Sequence, residues 1–183
     1  MHQNNEQPGF WDYSIALYAL EGVAPACLIL QDRYGFDVNL VLFCLWYGEQ
    51  SGELPPETLT QARQMSGNWS ELAVTPLRNA RTRIKGDTEL AGLPEAELIG
   101  AFREQVKRLE LSAEKIQQQM LERLARSTAG LSGESSAVSE DWGTTNLGML
   151  ITAMGLDLDC RTQPQLRLIL AAREKLNLHS HPE

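Results

Sequence analysis

The sequence predicts an all-α fold: a compact helical bundle with one long, partly projecting helix and two short C-terminal helices. Three observations carry that reading. Residues 23–30 and 38–47 are apolar on nearly every face and are joined through a polar turn that holds Gly35, so both segments belong inside the protein. Ile99, Phe102, Val106, Leu109, Ala113, Ile116 and Met120 recur at alternating steps of three and four, a heptad seam along a single helix. Nowhere do apolar and polar residues alternate as they do in a half-buried strand.

Residues 10–20 read as the first helix, with Trp11, Ile15 and Tyr18 on one face and Gly22 as its stop. Pro25 suits the first turn of a second helix, where its missing N–H costs nothing. Gly35 is placed to close that helix in the left-handed conformation, and Asp37 to cap the third through its carboxylate. Gly48 is the predicted end of the third helix. Such short connections predict three neighbouring helices packed antiparallel in chain order.

Pro55 and Pro56 open a short amphipathic helix bearing Leu59, Ala62 and Met65. Trp69, Ala73, Leu77, Ala80 and Ile84 mark another, kinked or divided at Pro76. Pro94 opens the longest helix, which runs to about residue 126. At its rise per residue this helix reaches roughly 50 Å, more than a compact domain of this size spans, so part of it is expected to project or to find a partner. The expected organisation is a helical core over 10–127, a flexible Gly/Ser-rich acidic linker over 128–143 and a C-terminal helical pair over 144–177.

With 183 residues the chain is long enough to bury one sizeable core. A net charge of −8 argues against a general nucleic-acid or anionic-membrane surface, because both partners are negative. The first residues carry no positive start and no apolar run, so no secretory signal is expected, and no apolar run reaches the roughly 20 residues of a membrane span. Three cysteines, Cys27, Cys44 and Cys160, sit in helical segments, which suits a reduced, cytoplasmic protein. The three histidines, His2, His179 and His181, lie in the polar termini. No metal site, no cofactor and no catalytic residue is expected: there is no glycine-rich phosphate loop, no paired-cysteine motif and no histidine in the body to activate a nucleophile.

The candidate site is the polar turn between the two apolar helices, Gln31, Asp32, Asp37 and Asn39. Asp37 has a capping role available to it. Asp32 closes an apolar helix and is expected to pair with Arg78 or Arg81, which share one face of a basic helix with Lys85. In one reading that pair is structural. In the other, the arginines form an anion-binding face, and the cluster is a small-molecule site or an active site. The heptad seam marks a second candidate, an interaction surface at Ile116, Met120 and Leu124 that contacts a protein partner, a second copy of the chain or the chain's own C-terminal helices.

The run F-W-D-Y-S-x-x-L-Y from Phe10 to Tyr18 and C-L-x-L-Q-D-R-Y-G-x-D-V-N-L from Cys27 to Leu40 resemble a proteobacterial family of conserved hypothetical proteins with a domain of unknown function. P-L-R-x-x-R from Pro76 to Arg81 and E-L-x-A-E from Glu110 to Glu114 are similar to it as well. The resemblance implies a small bacterial cytoplasmic helical protein and brings no activity, cofactor or site residue with it. The leading expectation is a non-enzymatic interaction or regulatory module that uses the basic helix and the long helix. The alternative is a small-molecule or anion site between the Gln31–Asn39 turn and Arg78 and Arg81.

Overall fold

The computed structural model describes residues 8–128, 141–159 and 163–180. The helices are α1 (Phe10–Tyr18), α2 (Val23–Tyr34), α3 (Val38–Ser51), α4 (Pro56–Trp69), α5 (Thr75–Gly86), α6 (Thr88–Ala91), α7 (Ala96–Thr128), α8 (Trp142–Ala153) and α9 (Pro164–Ser180). The described residues contain no strand, and the fold is all-α.

α3 is the axis of the bundle. Every residue from Asn39 to Tyr47 is buried, so this helix has no solvent face and must be covered all round. α1, α2, α4, α7 and α8 pack on it, and α9 closes over α1 and α2. The aromatic centre is Phe10, Phe43 and Trp46, with ring centroids 5.2 to 6.2 Å apart, a spacing at which aromatic pairs gain beyond their buried area. α8 and α9 add Leu147, Leu150, Ile151, Leu166 and Ile169 to the same core. The C-terminal helices thus chiefly cover α3, α1 and α2 rather than the long helix.

Local chemistry explains where the chain turns. Gly35 closes α2 at φ 69°, in the left-handed region, and Asp37 Oδ1 accepts the Asn39 backbone N–H at 2.9 Å to cap α3. α1 and α2 meet at a bend of 102°, a corner rather than the expected antiparallel hairpin. No single described helix is long and apolar enough to cross a membrane. Gly48 does not end α3, which runs on to Ser51. A Cβ at Gly48 would lie 2.5 Å from the Gly143 nitrogen and 2.8 Å from its Cα, so this glycine lets α3 and α8 cross backbone against backbone. Asn146 of α8, wholly buried, fixes the register there: its Oδ1 accepts the Leu54 N–H at 2.8 Å and its amide donates to the Cys44 and Gly52 carbonyls.

The helix expected from Trp69 to Ile84 is not divided at Pro76 itself: α5 runs unbroken from Thr75 to Gly86 with Pro76 in its first turn, and the irregularity lies just before it. Between α4 and α5 lies a π turn, Ser70–Val74. Proline lacks the N–H and its ring crowds the carbonyl four residues back. The wider π turn absorbs that conflict without ending the helix. α6 was not legible in advance; Asp87 caps it through the Glu89 and Leu90 N–H groups. Most of the expected linker, residues 129–140, lies outside the described residues, and α8 begins earlier than expected because Asp141 caps it at Thr144.

α5 and the first half of α7 form an arm. α5 buries none of its residues and packs on the π turn and on α7. The buried face of α7 is Val106, Glu110, Ala113, Gln117, Gln118, Leu121 and Ala125. The predicted seam is therefore right in period and wrong in phase, for only Val106 and Ala113 of it are buried. Leu98, Phe102, Leu109 and Ile116 instead form an exposed ridge. The projecting part is the N-terminal half of the helix, whereas Leu124 near its other end packs against the core.

The α3–α8 crossing makes a sign-split prediction. Gly48→Ala should lower stability by about 1 to 3 kcal/mol because the added methyl meets backbone that cannot turn aside. Gly67→Ala, at an exposed α4 position with open space around its Cβ, should raise it by about 0.5 to 1 kcal/mol through helix propensity alone. Urea unfolding of the two variants beside the parent checks both signs.

Candidate functional site

The polar turn before α3 meets α4 and α7 in a hydrogen-bonded relay whose direction follows from one residue. A carboxylate only accepts. Asp37 Oδ1 is taken by the α3 cap, and Oδ2 accepts the Ser66 hydroxyl at 2.6 Å and the Gln117 amide Nε2 at 2.7 Å. With its NH2 group committed, Gln117 presents Oε1 to Asn39 Nδ2 at 2.7 Å. Asn39 is thereby turned so that its Oδ1 accepts Gln118 Nε2, also at 2.7 Å. The relay ends on Gln118 Oε1, which is buried and has no hydrogen-bond partner. The orientation of three amides thus follows from the carboxylate at one end, and a carbonyl is left over at the other.

Beside the relay, α5 is bolted to α7 by charge. Arg78 donates through Nε to Glu110 at 3.1 Å and through Nη2 to Glu114 at 2.8 Å. Arg81 donates to both oxygens of Glu110. Burial pushes the Glu110 carboxyl up, but the hydrogen bonds from Arg81 and Arg78 outweigh it and hold the group below its ordinary value. Glu114 goes the other way: burial dominates the opposing pull of Arg78, the charges of Glu110 and Asp37 add to it, and the carboxyl lies above its ordinary value.

Relay and ion pairs line one cavity of about 680 Å³ between α1, the α2–α3 turn, α5 and α7. Its apolar walls include Trp11, Ile15, Leu28, Phe36 and Leu111. Ser14 lines it too, and its hydroxyl is buried without a partner. Tyr18 stands at the wall, its phenol held up chiefly by burial. Lys107, Arg108 and Glu104 are exposed at the mouth, where Glu104 takes Arg103 Nη1 at 2.7 Å.

The structure brings Gln31, Asp37, Asn39, Arg78 and Arg81 to this cavity. It does not bring Asp32, which is exposed on the last turn of α2, with the Gln31 amide 3.5 Å from its Oδ1. The expected Asp32–arginine pair does not form, because Glu110 and Glu114 on α7 stand directly opposite Arg78 and Arg81 and neutralise them. Sequence reading missed Ser14, Ser66, Glu110, Glu114, Gln117 and Gln118. The usable signal was the polar set Glu110, Gln117 and Gln118 spaced along the stripe of Val106, Ala113 and Leu121. Of the candidate interaction residues, Ile116 is 43% exposed, Met120 lines a shallow groove with Met65, Trp69 and Leu72, and Leu124 is half-buried.

No described group of three or more His, Cys, Asp or Glu could hold a metal ion. Burial pushes the Cys27 and Cys44 thiols up to about 12, far from the thiolate a nucleophile needs. Cys160, His2 and His181 lie outside the described residues.

An all-α bundle with one amphipathic cavity between its arm and its core is the class of protein that fold and site define. More particularly, the chain belongs to the family described as "Protein of unknown function (DUF2390)", which matches residues 9–121. That span holds α1 to α6, most of α7 and every residue of the cavity. No curated protein and no solved structure matches the chain.

Asp37→Ala should be costly, since it removes the α3 cap and strands the Ser66 and Gln117 donors, a combined loss of about 2 to 4 kcal/mol. Asp32→Ala should leave the unfolding midpoint unchanged. Chemical denaturation of both variants checks the contrast, and an Asp32 variant weaker than the Asp37 variant would show the relay to be misassigned.

Proposed function

We propose that this protein binds a small molecule with an apolar body in the cavity between the arm and the core. One observation carries the reading. Two cavity-lining residues, Ser14 and Gln118, each 4% exposed, hold polar atoms without partners, and a buried unsatisfied group costs about 1 to 3 kcal/mol. An occupant that draws these side chains round to hydrogen-bond with it recovers that loss. The volume lies inside the roughly 300 to 1,000 Å³ range of ligand pockets, and walls that are apolar with a few convergent polar groups are what such pockets have. We take the setting to be bacterial and cytoplasmic, as the sequence resemblance implies.

A thermal-shift screen of a chemically diverse fragment set tests this. A true occupant should raise the melting temperature by about 5 °C or more at roughly a hundredfold excess over its Kd. Leu111→Trp, which fills the mouth from an exposed position, should abolish the shift. A screen without a single hit that Leu111→Trp suppresses would contradict the proposal.

A protein-contact role for the arm is a second reading, supported by the ridge of Leu98, Phe102, Leu109 and Ile116, each 43% exposed or more. It predicts that the parent sediments above monomer mass or with a partner, and that Phe102→Glu combined with Leu109→Glu returns it to monomer. A parent that is monomeric and partner-free in the native lysate removes this reading.

A further inference from the structure

We infer that the occupant's polar end is a hydrogen-bond donor carrying positive charge, a protonated amine, and not the anion that the arginines suggest in the sequence. The inference rests on the small-molecule reading above and names its ligand class.

Three features of the inner end agree. The relay ends on a carbonyl beside it: Asp37 orients Gln117, Gln117 orients Asn39, Asn39 orients Gln118, and the acceptor Gln118 Oε1 is what remains, buried just behind the cavity wall, where a small turn of the side chain presents it to an occupant. An N–H group satisfies a carbonyl; a carboxylate or phosphate oxygen set against it adds a second acceptor and repels. Next, the ionic count is uneven. Asp37, Glu110 and Glu114 face Arg78 and Arg81, three carboxylates against two guanidiniums, and both arginines are already engaged. Glu110 takes most of that engagement, so Glu114 receives one guanidinium nitrogen and Asp37 none. Finally, Glu114 is a partly buried carboxylate paired through one oxygen only, Oε1 to Arg78 Nη2 at 2.8 Å, which leaves its second oxygen for an added ammonium. The free cations of the lining, Lys107 and Arg108, stand exposed at the mouth, where water screens them.

The amine's apolar body would lie along Trp11, Ile15, Leu28 and Leu111 toward that mouth, with its nitrogen among Glu114, Gln118 and Ser14. A polar end of the opposite sign would have to displace an arginine from Glu110 or stop at exposed cations, Lys107 and Arg108 at the mouth or Lys115, whose Nζ lies 5.2 Å from the Trp11 ring centroid.

Three probes of matched body separate the possibilities: phenylbutylamine, phenylbutanol and phenylbutyrate, titrated calorimetrically into the full chain. The amine should bind at least about tenfold more tightly than the acid, the factor expected of one charge-assisted hydrogen bond. Glu114→Gln should weaken the amine by a similar factor and the alcohol by clearly less, since the alcohol loses no charge pairing. Asp37→Asn, which keeps the cap oxygen but puts an NH2 group where Oδ2 was, reverses every amide in the relay and leaves a donor at Gln118; the preference for amine over acid should shrink or invert. Should Asp37→Asn fail to fold, Glu114→Gln still decides. Acid binding that equals or exceeds amine binding, and is lost in Leu111→Trp, overturns the amine class while the cavity reading stands. If none of the three probes binds and the fragment screen also gives no cavity hit, the cavity reading itself has failed.

Discussion

The burial of α3 on every face is the constraint on which the rest of this structure depends. A helix with no polar side cannot lie on a surface, so α1, α2, α4, α7 and α8 are arranged by the need to cover it. Covering a helix from all sides is easiest along its length and hardest at its ends, where backbone N–H groups need partners. At the N-terminal end Asp37 solves this by capping α3 and, through its other oxygen, recruiting Ser66 of α4 and Gln117 of α7. At the C-terminal end Gly48 lets α8 approach, and Asn146 of α8 accepts the Leu54 N–H and donates to the Cys44 and Gly52 carbonyls.

The cavity is a by-product of the first of these solutions. α7 is tied to the start of α3 by polar bonds rather than by interdigitated apolar side chains, and polar bonds hold helices without filling the space between them. α5 is held to α7 in the same way, by Arg78 and Arg81 on Glu110 and Glu114. Ion pairs of this kind contribute little to stability when exposed and more to geometry when partly buried. Here they fix the arm while consuming the arginines.

Much of the fold was legible in the sequence because it rests on local chemistry. Gly35, Asp37 and Pro56 mark helix ends through backbone geometry and capping that act over a few residues. Gly48 misled for the complementary reason: its role is a contact with Gly143, far along the chain, and only the folded structure shows that. The phase of α7 was hidden because its inward face carries Glu110, Gln117 and Gln118, while its outward face carries Leu98, Phe102, Leu109 and Ile116. Hydrophobicity alone chooses the outward face. At the candidate site, Asp37, Asn39, Arg78 and Arg81 were visible as unusual residues, but their partners were not. Asp32 looked buried because it closes an apolar helix, yet α2 is amphipathic in its last turn and turns this residue outward.

The most direct measurement is native mass spectrometry of the protein isolated without denaturation from the cells that make it, beside the Leu111→Trp variant prepared identically. A cavity that completes its polar end with a ligand predicts a stoichiometric adduct of small-molecule mass on the parent, absent from the variant. A parent that flies at the bare polypeptide mass, or an adduct retained when Leu111→Trp closes the mouth, would contradict it.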